Sequence, residues 1–482
     1  MSEPESEPRA RASSASESSA SESRASEAVL TPAILGSLRS IAEGLGLLRL
    51  GAVALDDPGF APAHAAWERF LEQGKAGSMH FLDRTREVRR DPSQMLPGAR
   101  TALVACALYD GEPGPVARYA QGLDYHTILH RRLLSLGTAV EAALPGAASL
   151  VFVDTKPILE RAAAALAGLG FLGKHGCLIV PGLGSYVLLG GLLITARLEG
   201  PAPARDPDVA PWDACGECRR CLDACPTAAF DGPGDLDPRR CISYLTIEER
   251  GPVPEALAAK IGERIAGCDV CQEVCPYNAG IGRRSRAPAS AWIEGRPGGP
   301  PKIDLLRLAD LGSSQHRALG RGSALRRIPR RQLRRNALVA LGNRAGPASA
   351  DEAAVILRAI AQARGEASID DAGDEATREA LAEDAAPTES AAAAESIERV
   401  EHVERVEHVE RVEHVERVER VERVERVERV ESVEHVESTE PSRPPRPDPE
   451  LLAVALWVAA RRGVEVPPPA DERARGLGVD EA

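Results

Sequence analysis

Aromatic side chains are scarce, at 3% of 482 residues, so few rings are on hand to stack on a nucleobase; Tyr119, Tyr125 and Tyr244 are the candidates. No apolar run approaches the roughly 18 residues that cross a membrane, which excludes helical spans. The first 28 residues are rich in Ser, Glu and Ala and lack the apolar centre of a signal peptide. A cytoplasmic protein with no membrane partner is therefore expected. A disulfide framework is missing too: the ten cysteines follow metal-ligand spacing, which suits a reducing compartment. The length suggests roughly two to four domains, and the apolar fraction of 43% is ordinary enough for a sizeable core.

The formal charge of −13 is unevenly spread. Residues 1–28 hold six Glu against three Arg, and residues 366–440 hold 25 acids against nine Arg. Setting both segments aside leaves +6 for the rest of the chain. The folded part is thus mildly basic, which permits a nucleic-acid partner without demanding one.

Residues 1–28 read as a disordered tail. From 29 to 200, helical patterns (Leu30–Gly44, Asp124–Leu144, Leu159–Ala167) alternate with strand patterns (Leu48–Ala54, Thr101–Tyr109, Ser149–Asp154, Tyr186–Ile194), the mark of an α/β layer. Residues 201–285 form a loop-rich module too poor in core to stand without metal. Residues 286–365 are helical in pattern and dense in Arg. Residues 366–448 are a low-complexity linker with a Val-Glu-Arg/His triplet. An α-helix needs a period of 3.6, so the valines of a three-residue repeat make no stripe. Most of its Glu do precede Arg or His by four residues, which would support an isolated solvated helix. The terminal segment, 449–482, opens with an amphipathic helix, Pro449–Arg462, expected to pack back on earlier helices. The fold class expected is α+β and multidomain.

Eight cysteines carry the clearest chemistry. Cys215, Cys218, Cys221 and Cys225 make C-x2-C-x2-C-x3-C followed by Pro226, the run of bacterial ferredoxins. Three thiolates on short loops converge on one cubane, and the fourth reaches a second. Cys268, Cys271 and Cys275 repeat the C-x2-C-x3-C-P half, ending at Pro276. That second run lacks its first cysteine, and Cys241 is the replacement. By the crossing rule, Cys215, Cys218, Cys221 and Cys275 hold one [4Fe–4S] cluster; Cys225, Cys241, Cys268 and Cys271 hold the other. Zinc also uses C-x2-C, but rarely a doubled C-x3-C-P. Cys106 and Cys177 lie in apolar stretches and read as small buried hydrophobes.

Two clusters alone would serve an electron carrier, yet a carrier needs neither the α/β segment before them nor the helices after. Several segments in order resemble one family, the cobalamin-dependent tRNA epoxyqueuosine reductases. They are RYAQGLDYH (Arg118–His126), VDTKPILER (Val153–Arg161), GLGFLGKHGCLI (Gly168–Ile179), GSYVLLGGLL (Gly184–Leu193) and CGECRRCLDACPTAAF (Cys215–Phe230). DPRRCISYLTIE (Asp237–Glu248), GCDVCQEVCPYN (Gly267–Asn278) and SALRRIPRRQLRRNALVALGN (Ser323–Asn343) complete the set. The likeness runs from about Leu30 to Arg344 and resumes weakly at Pro449–Arg462.

The resemblance implies an oxidoreductase that removes the epoxide oxygen of epoxyqueuosine at the tRNA wobble position. Cobalamin would do the redox chemistry, and the two clusters would recharge it from an external electron donor. It further implies an α/β cobalamin-binding domain, a ferredoxin-like two-cluster module and a C-terminal helical, HEAT-like domain, in a chain expected to be a monomer. Asp154 matches the family's proton donor. A carboxyl ending the apolar strand Val151–Val153 is expected to be desolvated and raised toward neutrality; the plainer reading is a cap on the following helix. Arg84 matches a position near the corrin, and Leu178, Leu189, Tyr244, Lys174 and His175 are candidates for its pocket, though the leucines could be plain core. No D-x-H-x-x-G motif is present, so a corrin without a protein His ligand is expected. Gly168, Gly170 and Gly173 nearly make G-x-G-x-x-G, but after a helix rather than a strand, the wrong context for a dinucleotide.

Residues 316–335 hold eight Arg and no acid. On one helix, Arg327, Arg330, Arg331 and Arg334 would share a face and bind tRNA phosphates, with the wobble base splayed out. Reductive dehalogenases share the cobalamin and two-cluster plan, but usually carry an export signal. A nucleic-acid-binding module with structural clusters is the remaining alternative.

Overall fold

The run TALVACAL at Thr101–Leu108 shows what organises the first part of the molecule. Leu103, Ala105 and Ala107 join one apolar cluster, while Ala102, Val104, Cys106 and Leu108 join another. Every residue of the run is buried. A strand apolar on both faces must be covered on both, and this one is.

The computed structural model describes residues 28–200, 211–279, 289–293, 295, 301–365 and 447–469. The expected tail (1–28) and linker (366–448) lie outside the described residues except for their last positions. The chain divides into two units, Met1–Pro347 and Ala348–Ala482.

The first unit begins with β1 (Val29–Leu30), α1 (Pro32–Gly44), β2 (Leu48–Ala54), α2 (Ala61–Glu72), α3 (Phe81–Arg84) and α4 (Arg86–Arg90). There follow β3 (Thr101–Leu108), α5 (Tyr125–Ala143), β4 (Ser149–Phe152), α6 (Glu160–Leu166), β5 (Phe171–Leu172), β6 (Leu178–Ile179), β7 (Val187–Ile194) and β8 (Arg197–Leu198). The elements expected from the sequence are thus present, with ends shifted by at most two residues. Strands β2-β3-β7-β4 form one sheet, antiparallel throughout. On one face α1 and α5 bury Leu38, Leu129, Leu133 and Leu136 against Leu103 and Leu192. On the other, α6 and the β5–β6 hairpin cover Val104, Phe152 and Leu193. Each such leucine contributes about 1.5–3 kcal/mol by leaving water. Gly191 in β7 leaves no room for a side chain. A Cβ there would collide with the Leu103 carbonyl and the Phe152 ring, so only glycine lets that ring cross the sheet.

The loop-rich module follows, with α7 (Arg220–Asp223), β9 (Phe230–Gly232), β10 (Asp235–Leu236), α8 (Ile242–Ile247), α9 (Glu255–Ile261) and α10 (Val270–Glu273). The one-turn helices α7 and α10 sit inside the two C-x2-C-x3-C runs and pack together. A polar joint binds this module to the sheet. Ser185 N donates to Asn278 Oδ1 at 2.8 Å, Asn278 Nδ2 donates to Ser185 Oγ at 2.9 Å, and Arg118 N donates to Asp269 Oδ2 at 2.8 Å. The unit closes with α11 (Leu305–Ala309), α12 (Ser313–Gly320) and α13 (Arg330–Gly342).

In the second unit α14 (Ala350–Arg364) and α15 (Pro449–Arg461) pack against each other. Ser349 and Glu352 make a capping box at the start of α14, and Glu352 Oε2 also accepts from the buried Arg462 Nη2 at 2.6 Å. The expected packing of the last helix is therefore found, on α14.

Candidate functional site

Three element ends converge beside the sheet: the C-terminal end of β4, the start of α5 and the start of α6. Asp124 caps α5, its Oδ1 accepting from His126 N at 3.1 Å, as an aspartate at this position should. The cap fixes the first turn and turns Tyr125 and His126 toward Asp154. Tyr125 Oη donates to Asp154 Oδ2 at 3.1 Å, and His126 Nε2 lies 3.1 Å from the same oxygen. The His126 Nδ1 lies 2.7 Å from Asp124 Oδ1, and the Tyr125 and His126 rings stack with centroids 4.0 Å apart. Arg327 Nη1 completes the cage, 3.5 Å from Asp154 Oδ2.

Asp154 itself has φ of +46°, a left-handed backbone that costs a non-glycine residue about 1–3 kcal/mol. Its amide donates to Glu160 Oε1 at 2.8 Å, which holds the strained turn in place. Asp154 is not a helix cap: α6 starts at Glu160 after Leu159, and the Asp154 carboxylate faces the cage instead. Its side chain keeps 42% of its surface open, yet protein atoms crowd closely enough for desolvation to act on its charge. The carboxylate is thus packed by protein on its sides yet open to solvent.

The electrostatics correct one expectation. Burial pushes the Asp154 carboxyl up, but the hydrogen bond and charge of His126, then Arg327 and Tyr125, outweigh it and hold it below the usual carboxylate range. The raised acid is its neighbour: burial, then the Asp154 charge, push Glu160 up to about 8. Burial lowers His126, but the hydrogen bonds and charges of Asp124 and Asp154 overcome this and raise it to about 9. Desolvation alone was legible in the sequence; the cage of donors was not.

The other expected pocket residues divide. Leu178 is buried at the β6 end of the hairpin and Leu189 is half-buried in β7. His175 is buried, and its Nδ1 accepts from Cys177 N at 3.1 Å. Burial and the Arg161 charge lower its pKa to about 4, so the ring is neutral and its Nε2 carries the proton. That buried Nε2 has no partner. Lys174 is engaged elsewhere, donating to the carbonyls of Gly216 and Cys218 in the first cysteine loop. Tyr244 is structural: its hydroxyl accepts from Ser78 N at 2.7 Å and donates to Glu249 Oε2 at 2.9 Å. Gly77, at φ +56°, lies so close to that hydroxyl that a side chain would displace it. Arg84 stays exposed on α3. Arg89, which the sequence reading missed, feels the charges of Glu160 and Asp154 and donates to the Ile158 carbonyl at 3.2 Å.

Electrostatic coupling links thiols of the two cysteine runs with one another and with Cys241. Burial, and then Cys275, raise the Cys221 thiol to about 11, with Cys215 adding to it. Burial and the nearby Cys215 and Cys218 raise Cys275. After burial, Cys225 and Cys177 raise Cys241, and Cys177, Cys241, Cys268 and Cys221 raise Cys271. Cys241, Cys268 and Cys271 are deep enough for burial to raise them, yet none is fully covered. No group of three or more His, Cys, Asp or Glu among the described residues forms a site for a single metal ion; a cubane spreads its thiolates over four corners. Cys106 is the buried hydrophobe expected, bonded to the Leu48 carbonyl. Cys177 is not: the hairpin brings it beside Cys271 and Cys275.

The Arg-rich run also departs from expectation. Arg327 ends a 3-10 turn (Ala324–Arg327), and Ile328–Pro329 separate it from α13, so the four arginines do not share a helix face. Proline cannot donate its amide, and α13 starts after it. Arg334 is buried and donates to the Ala309 carbonyl, and Arg330 donates to Leu311. Arg335, also buried, binds the carbonyls of Leu245, Glu249 and Gly251. Arg317, Arg321, Arg326, Arg330 and Arg331 remain exposed.

Comparison with known proteins agrees with this geometry. Residues 214–278 match the 4Fe-4S double cluster binding domain, and residues 89–155 match the family described as epoxyqueuosine reductase QueG, DUF1730. The chain is 40% identical over 322 residues to an epoxyqueuosine reductase of Gloeobacter violaceus, covering 63% of this chain and 95% of that one. The structure of epoxyqueuosine reductase from Streptococcus thermophilus is 29% identical with a TM-score of 0.55, over 67% of this chain and 84% of that one. A crystal structure of epoxyqueuosine reductase with an epoxyqueuosine-modified tRNA-Tyr stem loop gives 26% identity and a TM-score of 0.55, over 67% and 84%.

Proposed function

Because this chain belongs to the epoxyqueuosine reductase family, we propose that it reduces epoxyqueuosine at the wobble position of tRNA to queuosine. The reaction consumes two electrons and two protons: both carbon–oxygen bonds of the epoxide break, the ring carbons become doubly bonded, and the oxygen leaves as water. The observation that carries this reading is the caged, solvent-open Asp154, with Arg327 of the Arg-rich segment touching it.

Cobalamin, when bound, supplies the redox chemistry at cobalt, and the two [4Fe–4S] clusters return its electrons one at a time from an external donor. One observation suits a corrin: the buried His175 N–H lacks an acceptor. Leu178 and Leu189 would line the ring, and Arg84 would meet its outer amide or phosphate groups. Cys215, Cys218, Cys221 and Cys275 would hold one cluster, and Cys225, Cys241, Cys268 and Cys271 the other. Lys174 braces the loop of the first.

Asp154 is the group that hands a proton to the departing oxygen. An alkoxide is strongly basic, so a positioned acid lowers the barrier to its departure. Tyr125, His126 and Arg327 hold the carboxylate in one orientation, which is worth rate even before proton transfer. The exposed Arg317, Arg321, Arg326, Arg330 and Arg331 offer phosphate contacts along the approach, and we read α14 and α15 as part of a HEAT-like tail. The test is reconstitution with iron, sulfide and cobalamin, addition of tRNA carrying epoxyqueuosine and a reductant, and analysis of the nucleosides. Queuosine is the expected product; its absence from protein that holds cobalamin overturns the reading.

A further inference from the structure

We propose that His126 is the proton reservoir that recharges Asp154, held for that purpose between two carboxylates. The inference rests on the functional reading above. Its ground is geometric. Nδ1 of His126 faces Asp124 Oδ1 at 2.7 Å and Nε2 faces Asp154 Oδ2 at 3.1 Å. A neutral imidazole has one N–H and one lone pair; in this position its lone pair would point at a carboxylate oxygen. With both carboxyl groups ionised, only the imidazolium, with two N–H groups, satisfies both neighbours.

The surrounding charges point the same way. The carboxylates on either side raise His126 to about 9, so the ring holds its proton at neutral pH. Asp154, held low, does not. The cations nearby act on the carboxylates: Arg326 on Asp124, and Arg327 on Asp154. Tyr125 adds a hydroxyl to Asp154 Oδ2 and is raised far above its ordinary value by burial and then by that carboxylate, so it stays protonated. Glu160, raised to about 8, also holds a proton at neutral pH, but its Oε1 accepts from the Asp154 amide, whereas His126 Nε2 faces the Asp154 carboxylate itself; the proton in line with Oδ2 is the one on His126.

The transfer balances. As an epoxide carbon–oxygen bond breaks, oxygen keeps the bonding pair and accepts a proton through Asp154. The proton comes from His126 Nε2, which passes it to Asp154 Oδ2; the carboxyl turns about its Cβ–Cγ bond to present it. The side chain of His126 is 27% exposed, so the neutral ring refills from solvent. The second proton, which turns the bound hydroxyl into water, follows the same route. The two electrons enter from the external one-electron donor of the proposed reaction.

Two measurements test this. The first needs no cofactor: titration of the protein with 15N-labelled histidine, read by NMR. His126 is expected to keep both nitrogens protonated past pH 8, and Asp124→Asn is expected to lower its titration by more than about one pH unit. The second is the pH profile of single-turnover epoxyqueuosine reduction by wild type, His126→Gln and Asp124→Asn. His126→Gln keeps a side chain able to bond both carboxyl groups but stores no proton. It is expected to slow turnover at least about tenfold at pH 7.5, with tRNA affinity and cluster absorbance unchanged, and to recover as pH falls. Asp124→Asn is expected to shift the profile to lower pH. A neutral His126 at pH 7, or a His126→Gln enzyme with the wild-type profile, overturns the reservoir while leaving the functional reading intact. Wild-type protein that makes no queuosine overturns both.

Discussion

Arg327 lies 3.5 Å from Asp154 Oδ2 through Nη1 and 2.7 Å from Glu248 Oε1 through Nη2. One guanidinium thus joins the carboxylate beside the sheet to the module that follows it and to the Arg-rich segment. Both Arg327 and Asp154 keep about two fifths of their side-chain surface exposed, so solvent screens the pair and its worth is about 1 kcal/mol or less.

Arg327→Gln is therefore expected to raise the Asp154 titration by no more than about one pH unit, since one unit equals about 1.4 kcal/mol. Carboxyl 13C NMR of the apo protein reads this directly. A fall in the Asp154 titration would show that Arg327 does not stabilise its charge.

Glu160 sets a pH dependence of stability. A glutamate in the unfolded chain titrates near 4.5, and in the fold at about 8. Between those values the unfolded chain has released a proton that the folded chain keeps, so this group lowers stability as pH rises from about 4.5 to about 8, with no further loss above. Glu160→Gln keeps an oxygen for the Asp154 amide and has no proton to lose. Its melting temperature is expected to match wild type near pH 4.5 and to exceed it at pH 8.5. Parallel curves for the two proteins would contradict the raised Glu160.

The cysteine groups give a spectroscopic expectation. With two [4Fe–4S] clusters the reconstituted chain should hold about eight iron atoms. Cys275→Ala and Cys241→Ala are each expected to reduce this to about four, but to remove different EPR signals. Loss of the same signal from both variants would contradict the crossed assignment.

The regular elements were legible because their patterns are strong. TALVACAL has no choice but a buried strand, and Asp124 followed by a long apolar-periodic stretch announces a capped helix. The double-cluster module was legible because the C-x2-C-x3-C-P spacing suits a cubane. The cage was not. Its members come from the start of α5, the turn after β4 and the Arg-rich segment, and only tertiary packing brings them together. For the same reason Asp154 reads from sequence as a desolvated acid, whereas the donors around it make it a stabilised anion. The Arg face failed locally: Pro329 restarts the helix, and Arg334 and Arg335 turn inward to bond carbonyls.

The most direct measurement is the yield of queuosine from epoxyqueuosine tRNA with wild type and Asp154→Asn, each loaded with cobalamin and clusters and given the same reductant. Wild type is expected to convert the tRNA. Asp154→Asn is expected to keep both cofactors by absorbance yet lose at least about a hundredfold in rate. Conversion by Asp154→Asn at the wild-type rate, or none by a fully loaded wild type, would contradict the central claim.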